Sequence, residues 1–146
     1  IRAALEHGLI PLVYGDVAFD ERRGGTIIST EDSFFVLARQ FHPARILLAG
    51  LEDGVYSDYP AGRTVIPEIT AADLPGWLPA LRGSAGYDVT GGMAAKVTEM
   101  IALCGEVPGL QVQIFSGVTP DLTRRALLGE RAGTVLRGAG DEKREA

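Results

Sequence analysis

Apolar strand-like runs alternate with amphipathic helical stretches, which predicts a three-layer α/β/α sandwich on a mostly parallel sheet. Three observations carry that expectation. Residues 9–14, 45–49 and 110–115 are short apolar runs of the kind that form buried strands. Between them lie stretches with helical spacing, the clearest being Met93, Val97, Met100, Ile101 and Cys104. Each apolar run also ends in a glycine-bearing turn: Gly15-Asp16, Gly50 to Gly54, and Gly117. Ligands of open parallel sheets bind beyond the carboxyl ends of the strands, so these turns should converge on one edge.

The elements follow in order. Residues 17–19 and 26–28 flank the polar, glycine-ended run Asp20-Glu21-Arg22-Arg23-Gly24-Gly25 and predict a hairpin. Ser29 fits a helix N-cap, with Asp32 three residues on as its capping-box partner. Phe34, Phe35, Leu37, Ala38 and Phe41 give that helix an apolar face, and His42-Pro43 ends it. After the strand at 45–49, residues 59–69 read as a proline-punctuated loop with a short strand. A helix over 71–81 is expected to be interrupted at Pro75-Gly76. The strongest helix spans about 91–104. Thr119-Pro120 predicts another, with threonine as cap and proline in its first position. A last short strand is expected at 133–136. Residues 1–138 thus read as one folded unit and 139–146 as a solvated tail.

Composition narrows the function. In 146 residues, 19 acidic against 14 basic side chains leave a net charge of −5, which argues against a nucleic-acid partner. The single cysteine, Cys104, has no internal disulfide partner, which favours a reducing, cytoplasmic setting. No apolar run approaches the roughly 18 residues of a membrane span. The chain opens at Ile1, so it is expected to be part of a longer product, and no signal-peptide pattern is visible.

The segment richest in chemistry is Tyr87-Asp88-Val89-Thr90-Gly91-Gly92-Met93-Ala94-Ala95-Lys96. Two glycines open a helix, so uncovered backbone N–H groups can meet a phosphate closely. Lys96 lies one turn in, and its side chain leans back toward the helix start. This matches neither the P-loop nor the dinucleotide fingerprint. Read alone, it is equally a glycine turn beside a solvated lysine. Asp32 reads locally as a cap and Asp53 as a turn former. His7 and His42 lack neighbours at metal or triad spacing, and no metal-ligand set is present. Cys104 and Trp77 read as core residues.

Taken in order, the runs 14–17 and 25–32, Asp53-Gly54-Val55-Tyr56, Asp88 to Met93 with Lys96, Ser116-Gly117, Gly129-Glu130 and Gly133-Thr134 resemble the amino acid kinase superfamily. Tyr14-Gly15-Asp16-Val17 and Thr90-Gly91-Gly92-Met93 most resemble isopentenyl phosphate kinases. The resemblance covers roughly residues 9–138 and corresponds to the C-terminal, nucleotide-binding half of such an enzyme. It implies transfer of the ATP γ-phosphoryl group to isopentenyl phosphate, with magnesium bridging the phosphates. It also implies a homodimer and a missing N-terminal half bearing the rest of the site. Gly91, Gly92 and Lys96 would then bind the ATP phosphates, Lys96 stabilising the transferring group. Asp32 would hold catalytic lysines in place, Asp53 and Tyr56 would lie around the nucleotide, and Gly15 and Asp16 would lie on the substrate side. Such families usually carry a Thr-Asp pair where this chain has Gly50-Leu51. Two other readings stay open: a superfamily kinase acting on a carboxylate, carbamate or phosphonate, and a non-catalytic ATP-sensing domain.

Overall fold

The chain begins with a short helix, α1 (Arg2–Glu6), which the sequence pattern did not single out. Gly8, at φ +70°, closes it by donating to the Leu5 carbonyl, and Leu9 donates to Ala4. The computed structural model describes residues 1–59, 61–62, 64–82 and 92–139. These form two compact units, Ile1–Leu37 and the chain from Ala38 onward.

In the first unit the expected hairpin is present. Strands β1 (Asp16–Ala18) and β2 (Thr26–Ile28) pair antiparallel, with Val17 opposite Ile27. The Asp20 carboxylate holds the connection by accepting from the Arg22 and Arg23 amides. Helix α2 (Thr30–Phe41) starts on the expected reciprocal cap. Ser29 Oγ accepts from the Asp32 amide at 2.9 Å, and Asp32 Oδ2 accepts from the Ser29 amide at 3.2 Å. Residues 9–14 differ from expectation: they form no strand, and Leu12 is 91% exposed. A strand exists only where a neighbouring edge takes up its N–H and C=O groups. The described residues supply no such edge here.

In the second unit, α2 ends at Phe41, and His42, just ahead of Pro43, leaves the helix at φ +46°. The sheet contains β3 (Arg45–Gly50), β4 (Glu68–Thr70), β5 (Gln111–Ser116) and β6 (Thr134–Arg137) in the order β3-β5-β6-β4. β3 lies parallel to β5 and β4 parallel to β6, whereas β5 and β6 are antiparallel. The sheet is thus mostly parallel, as the alternation predicts, with one reversed seam. Successive residues of a strand face opposite ways, yet Val112 to Ser116 and all of β6 are buried. Both faces of these central strands are therefore covered.

Helix α3 (Leu74–Arg82) begins at the Pro75-Gly76 pair instead of being interrupted by it. In the first turn a proline loses no hydrogen bond, and Thr70 and Asp73 tie the entry, their side chains meeting at 2.7 Å. Helix α4 (Gly92–Glu106) packs on β5, β6 and α3, and buries Val97, Met100, Ile101, Leu103 and Cys104. Helix α5 (Leu122–Leu127) starts two residues later than Thr119-Pro120 predicts. Thr119 Oγ1 instead bonds Ser116 Oγ at 3.0 Å, and Asp121, at φ +60°, becomes the cap position. The predicted tail beyond 139 lies outside the described residues.

Candidate functional site

Strand register decides which turns meet. Gly50 pairs with Ser116, and Ile114 pairs with Thr134 across the reversed seam. The carboxyl ends of β3 and β5 therefore share one sheet end with the start of β6. Gly50, Gly117 and Gly133 stand side by side there, as the sequence predicted for the first two. The Gly117 amide donates to the Gly50 carbonyl at 2.7 Å, locking one turn to the next.

Gly133 lies at φ +67°, and a Cβ there would come within 2.0 Å of the Ile114 carbonyl oxygen and 2.6 Å of the Asp53 carbonyl oxygen. Only glycine lets the start of β6 press this closely on the 53–54 turn. Thr134 is fully buried behind it. Its hydroxyl accepts from the Val55 amide at 2.8 Å and donates to the Ile66 carbonyl at 2.6 Å. The arm between these positions closes on itself, with Tyr56 bridged to Val65 and the Ile66 amide donating to the Val55 carbonyl. Asp53 is thus held at the sheet end with its side chain exposed, and Tyr56 is half-buried one bridge further along the arm. The sequence reading assigned Thr134 no role of its own. Its signals are a threonine at the head of an apolar strand and its place in the Gly133-Thr134 run of the family resemblance.

Helix α4 reaches the same end. Only four residues separate its last residue, Glu106, from the first of β5, Gln111, so the helix runs antiparallel to that strand. Cys104, near its carboxyl end, donates its thiol to the Leu136 carbonyl near the end of β6 at 3.7 Å. The opposite terminus, Gly92, therefore lies toward the glycine edge. Gly92 itself has φ +64°, and Lys96 is half-buried one turn on, directly above it on the helix. Gly91 and residues 87–90 lie outside the described residues. Leu51, one of the two positions where the resemblance leads one to expect a Thr-Asp pair, is 80% exposed at this end. A Cβ on Gly50 would meet nothing within 4 Å, so crowding does not explain its missing side chain.

The first unit brings together the other named residues. Gly15 donates its amide to Thr30 Oγ1 at 2.9 Å. A Cβ on it would come within 2.5 Å of the Ile28 carbonyl oxygen and 2.7 Å of the Thr30 nitrogen. Gly15 is therefore seated against the start of α2, where Asp32 caps. Asp16 is exposed, and its Oδ1 accepts from the Val17 amide at 2.7 Å. His7 and His42 are both exposed, and Cys104 is a buried core thiol. Among the described residues no three His, Cys, Asp or Glu side chains converge as a metal cage, and no helix is long and apolar enough to cross a membrane.

The comparisons bear on this geometry. The model of the amino acid kinase family matches residues 1–116. The isopentenyl phosphate kinase of Methanothermobacter thermautotrophicus is 35% identical over 144 residues, 94% of this chain and 52% of its own length. That of Haloferax volcanii is 39% identical over 135 residues, 92% of this chain and 49% of its own. A solved structure of isopentenyl phosphate kinase superposes with a TM-score of 0.65 at 29% identity, over 92% of this chain and 49% of that one. The chain thus spans about half the length of the relatives it matches.

Proposed function

The chain belongs to the amino acid kinase family, and from that premise we propose that residues 1–138 form the nucleotide-binding half of an isopentenyl phosphate kinase. The reaction moves the γ-phosphoryl group of ATP onto the phosphate of isopentenyl phosphate. A new P–O bond forms at an acceptor oxygen, the β–γ bridge breaks, and ADP leaves. What carries the reading is 35% and 39% identity to two isopentenyl phosphate kinases across more than nine-tenths of this chain.

Phosphoryl transfer asks little covalent chemistry of a protein and depends on positioning and charge neutralisation. In this reading the Gly91 and Gly92 amides at the start of α4 cradle the phosphates. Lys96 balances charge on the transferring group. Asp53 and Tyr56 flank the nucleotide, and the exposed Leu51 leaves the base or ribose without one polar contact. Gly15 and Asp16 face the acceptor phosphate, the bare Gly15 letting that anion approach the backbone. Asp32 orients cationic side chains while capping α2. The described side chains do not form a cage for magnesium; bound with ATP, magnesium would neutralise charge on the phosphates beside Lys96. The other half of the relatives' length would complete the acceptor site. A cytoplasmic homodimer belongs to the same reading.

The test is ADP release from a polypeptide carrying both halves, offered isopentenyl phosphate beside carboxylate, carbamate and phosphonate acceptors. Turnover on isopentenyl phosphate well above the others supports the assignment. Preference for another acceptor moves the activity within the family, and ATP binding without turnover on any acceptor replaces the kinase with a sensor.

A further inference from the structure

The sheet of the second unit has one apolar and one polar face, and the polar face closes a cavity that the proposed nucleotide site does not use. Arg45, Gln111 and Arg137 stand in a row across β3, β5 and β6, and Gln113, Val135 and Glu68 stand in the next row on the same face. The alternate residues Ile46, Val112 and Leu136 make the buried apolar face. Beside the carboxyl end of α5, the polar side encloses about 70 Å³, lined by Arg45, Gln111, Gln113, Gly129, Arg131 and Val135. Its polar groups are fixed yet still have bonds to make. Arg45 donates from both terminal nitrogens to the Ala126 and Leu127 carbonyls, at 3.0 and 3.1 Å, which holds the guanidinium and leaves further N–H groups. Gln113 is only 5% exposed, and its Nε2 donates to the Glu130 and Ala132 carbonyls at 3.2 and 2.9 Å. Turned over, the carboxamide would set Oε1 against two carbonyl oxygens, so an acceptor is what Gln113 has left for the cavity. The Gln111 carboxamide makes no hydrogen bond among the described residues. Arg131 has a loose ion pair with Glu68 at 4.0 Å, and Arg137 already binds that same carboxylate at 3.0 Å. Three guanidinium groups thus share one carboxylate, while Glu130 is turned to Arg125.

We propose that this cavity binds a protonated tetrahedral oxyanion, inorganic phosphate, between Arg45 and Arg131. Planar guanidinium groups meet such an ion with paired N–H donors, and the local surplus of positive charge favours it. Gln113 Oε1 selects within the class. It repels an anion without protons and accepts a hydrogen bond from one that keeps an O–H. Inorganic phosphate keeps an O–H at pH 7, and sulfate does not. The Gln111 carboxamide can donate or accept beside it. The site is separate from the glycine edge, because Arg45 begins β3 and Gly50 ends it, about 16 Å further along the strand. An anion held at one end does not reach the other.

The test titrates the full chain with phosphate and with sulfate at pH 7 and matched ionic strength, by calorimetry and by NMR of the Gln111 and Gln113 side-chain amides. Phosphate should shift both pairs of amide resonances and bind about tenfold or more tighter than sulfate. Arg131→Met should weaken phosphate binding about tenfold or more. That side chain is 69% exposed, so its loss spares the fold. Arg124→Met, on α5 and 71% exposed, and Lys96→Ala, on α4, should leave the affinity within about twofold. Equal affinity for the two anions overturns the proposal, as does an Arg124→Met variant weakened as much as Arg131→Met, because the attraction is then diffuse charge alone. It is also overturned if phosphate shifts the Gly92 amide and leaves Gln111 and Gln113 unmoved, which would place phosphate at α4 and nowhere in this cavity.

Discussion

Thr134 offers the sharpest test of how the glycine edge is built. Its side chain is fully buried and its hydroxyl serves two backbone groups at once, the Val55 amide at 2.8 Å and the Ile66 carbonyl at 2.6 Å. Thr134→Val keeps the shape and removes only the hydroxyl. Each lost bond is worth about 1 kcal/mol net, and each partner left buried and unpaired costs about 1–3 kcal/mol. The combined destabilisation should be about 2–4 kcal/mol. Thr134→Ser keeps the hydroxyl and removes one methyl, for about 1 kcal/mol. The single tryptophan, Trp77, lies in α3 of the same unit, so urea unfolding followed by its fluorescence reports the right transition. At roughly 2–4 °C per kcal/mol, the valine variant should melt about 4–16 °C lower. A valine variant within about 0.5 kcal/mol of the parent, or a serine variant harmed as much as valine, would refute the bridging argument.

The remaining predictions use the same edge and the first unit. Gly133→Ala places a Cβ 2.0 Å from the Ile114 carbonyl oxygen at a left-handed φ, and should lower stability by about 3 kcal/mol or more in the same urea assay. Lys96→Ala, in a protein carrying both halves, should lower kcat by about 100-fold or more while KM moves less than about threefold. An unchanged kcat removes Lys96 from the chemistry. Asp32→Asn retains an acceptor for the Ser29 amide, so stability should shift by less than about 0.5 kcal/mol, whereas Asp32→Ala should cost about 1 kcal/mol. If the charge also orients cations, the asparagine variant loses about tenfold or more in kcat at unchanged stability. The Arg125 guanidinium, hydrogen-bonded through Nε to Glu130 at 2.7 Å, holds the Glu130 carboxyl below its usual pKa of 4.5. A lowered folded pKa stabilises above the unfolded value and loses that contribution as pH falls through the folded one. Glu130→Gln should therefore lower Tm slightly at pH 7, and the difference should vanish below the ordinary carboxylate range or in about 1 M salt.

Local chemistry made much of the fold legible. The Ser29–Asp32 cap, the hairpin around residues 20–25, the β3 and β5 runs and the apolar face of α4 are all where residue type and spacing put them. The misses have physical causes. Residues 9–14 carry strand composition but find no edge to pair with among the described residues, and composition does not supply the partner. At Pro75-Gly76 the sequence marked an interruption where the helix in fact begins, and at Thr119-Pro120 it set a helix start two residues early, because Thr119 bonds Ser116 instead of capping. The reversed β5–β6 seam was hidden for a reason of length. A parallel return has to carry the chain back along the whole sheet, about 20 Å for six residues of strand. The six residues of α5 rise only about 9 Å. The chain therefore re-enters at the end it left, through Gly133.

That reversal explains why the candidate site was only half visible from composition. A glycine turn read alone is indistinguishable from any loop, and each of Gly50, Gly117 and Gly133 is such a turn. Register turns them into one feature, because Gly50 is paired with Ser116 and Thr134 with Ile114. Had β6 run parallel to β5, Gly133 would sit at the opposite end of the sheet, and the Asp53 turn would have lost both its close neighbour and the buried Thr134 hydroxyl. The antiparallel return is thus what assembles the edge toward which the start of α4 points. Substitutions that shift β6 without touching a charged side chain should therefore displace the 53–54 turn through the same backbone contacts.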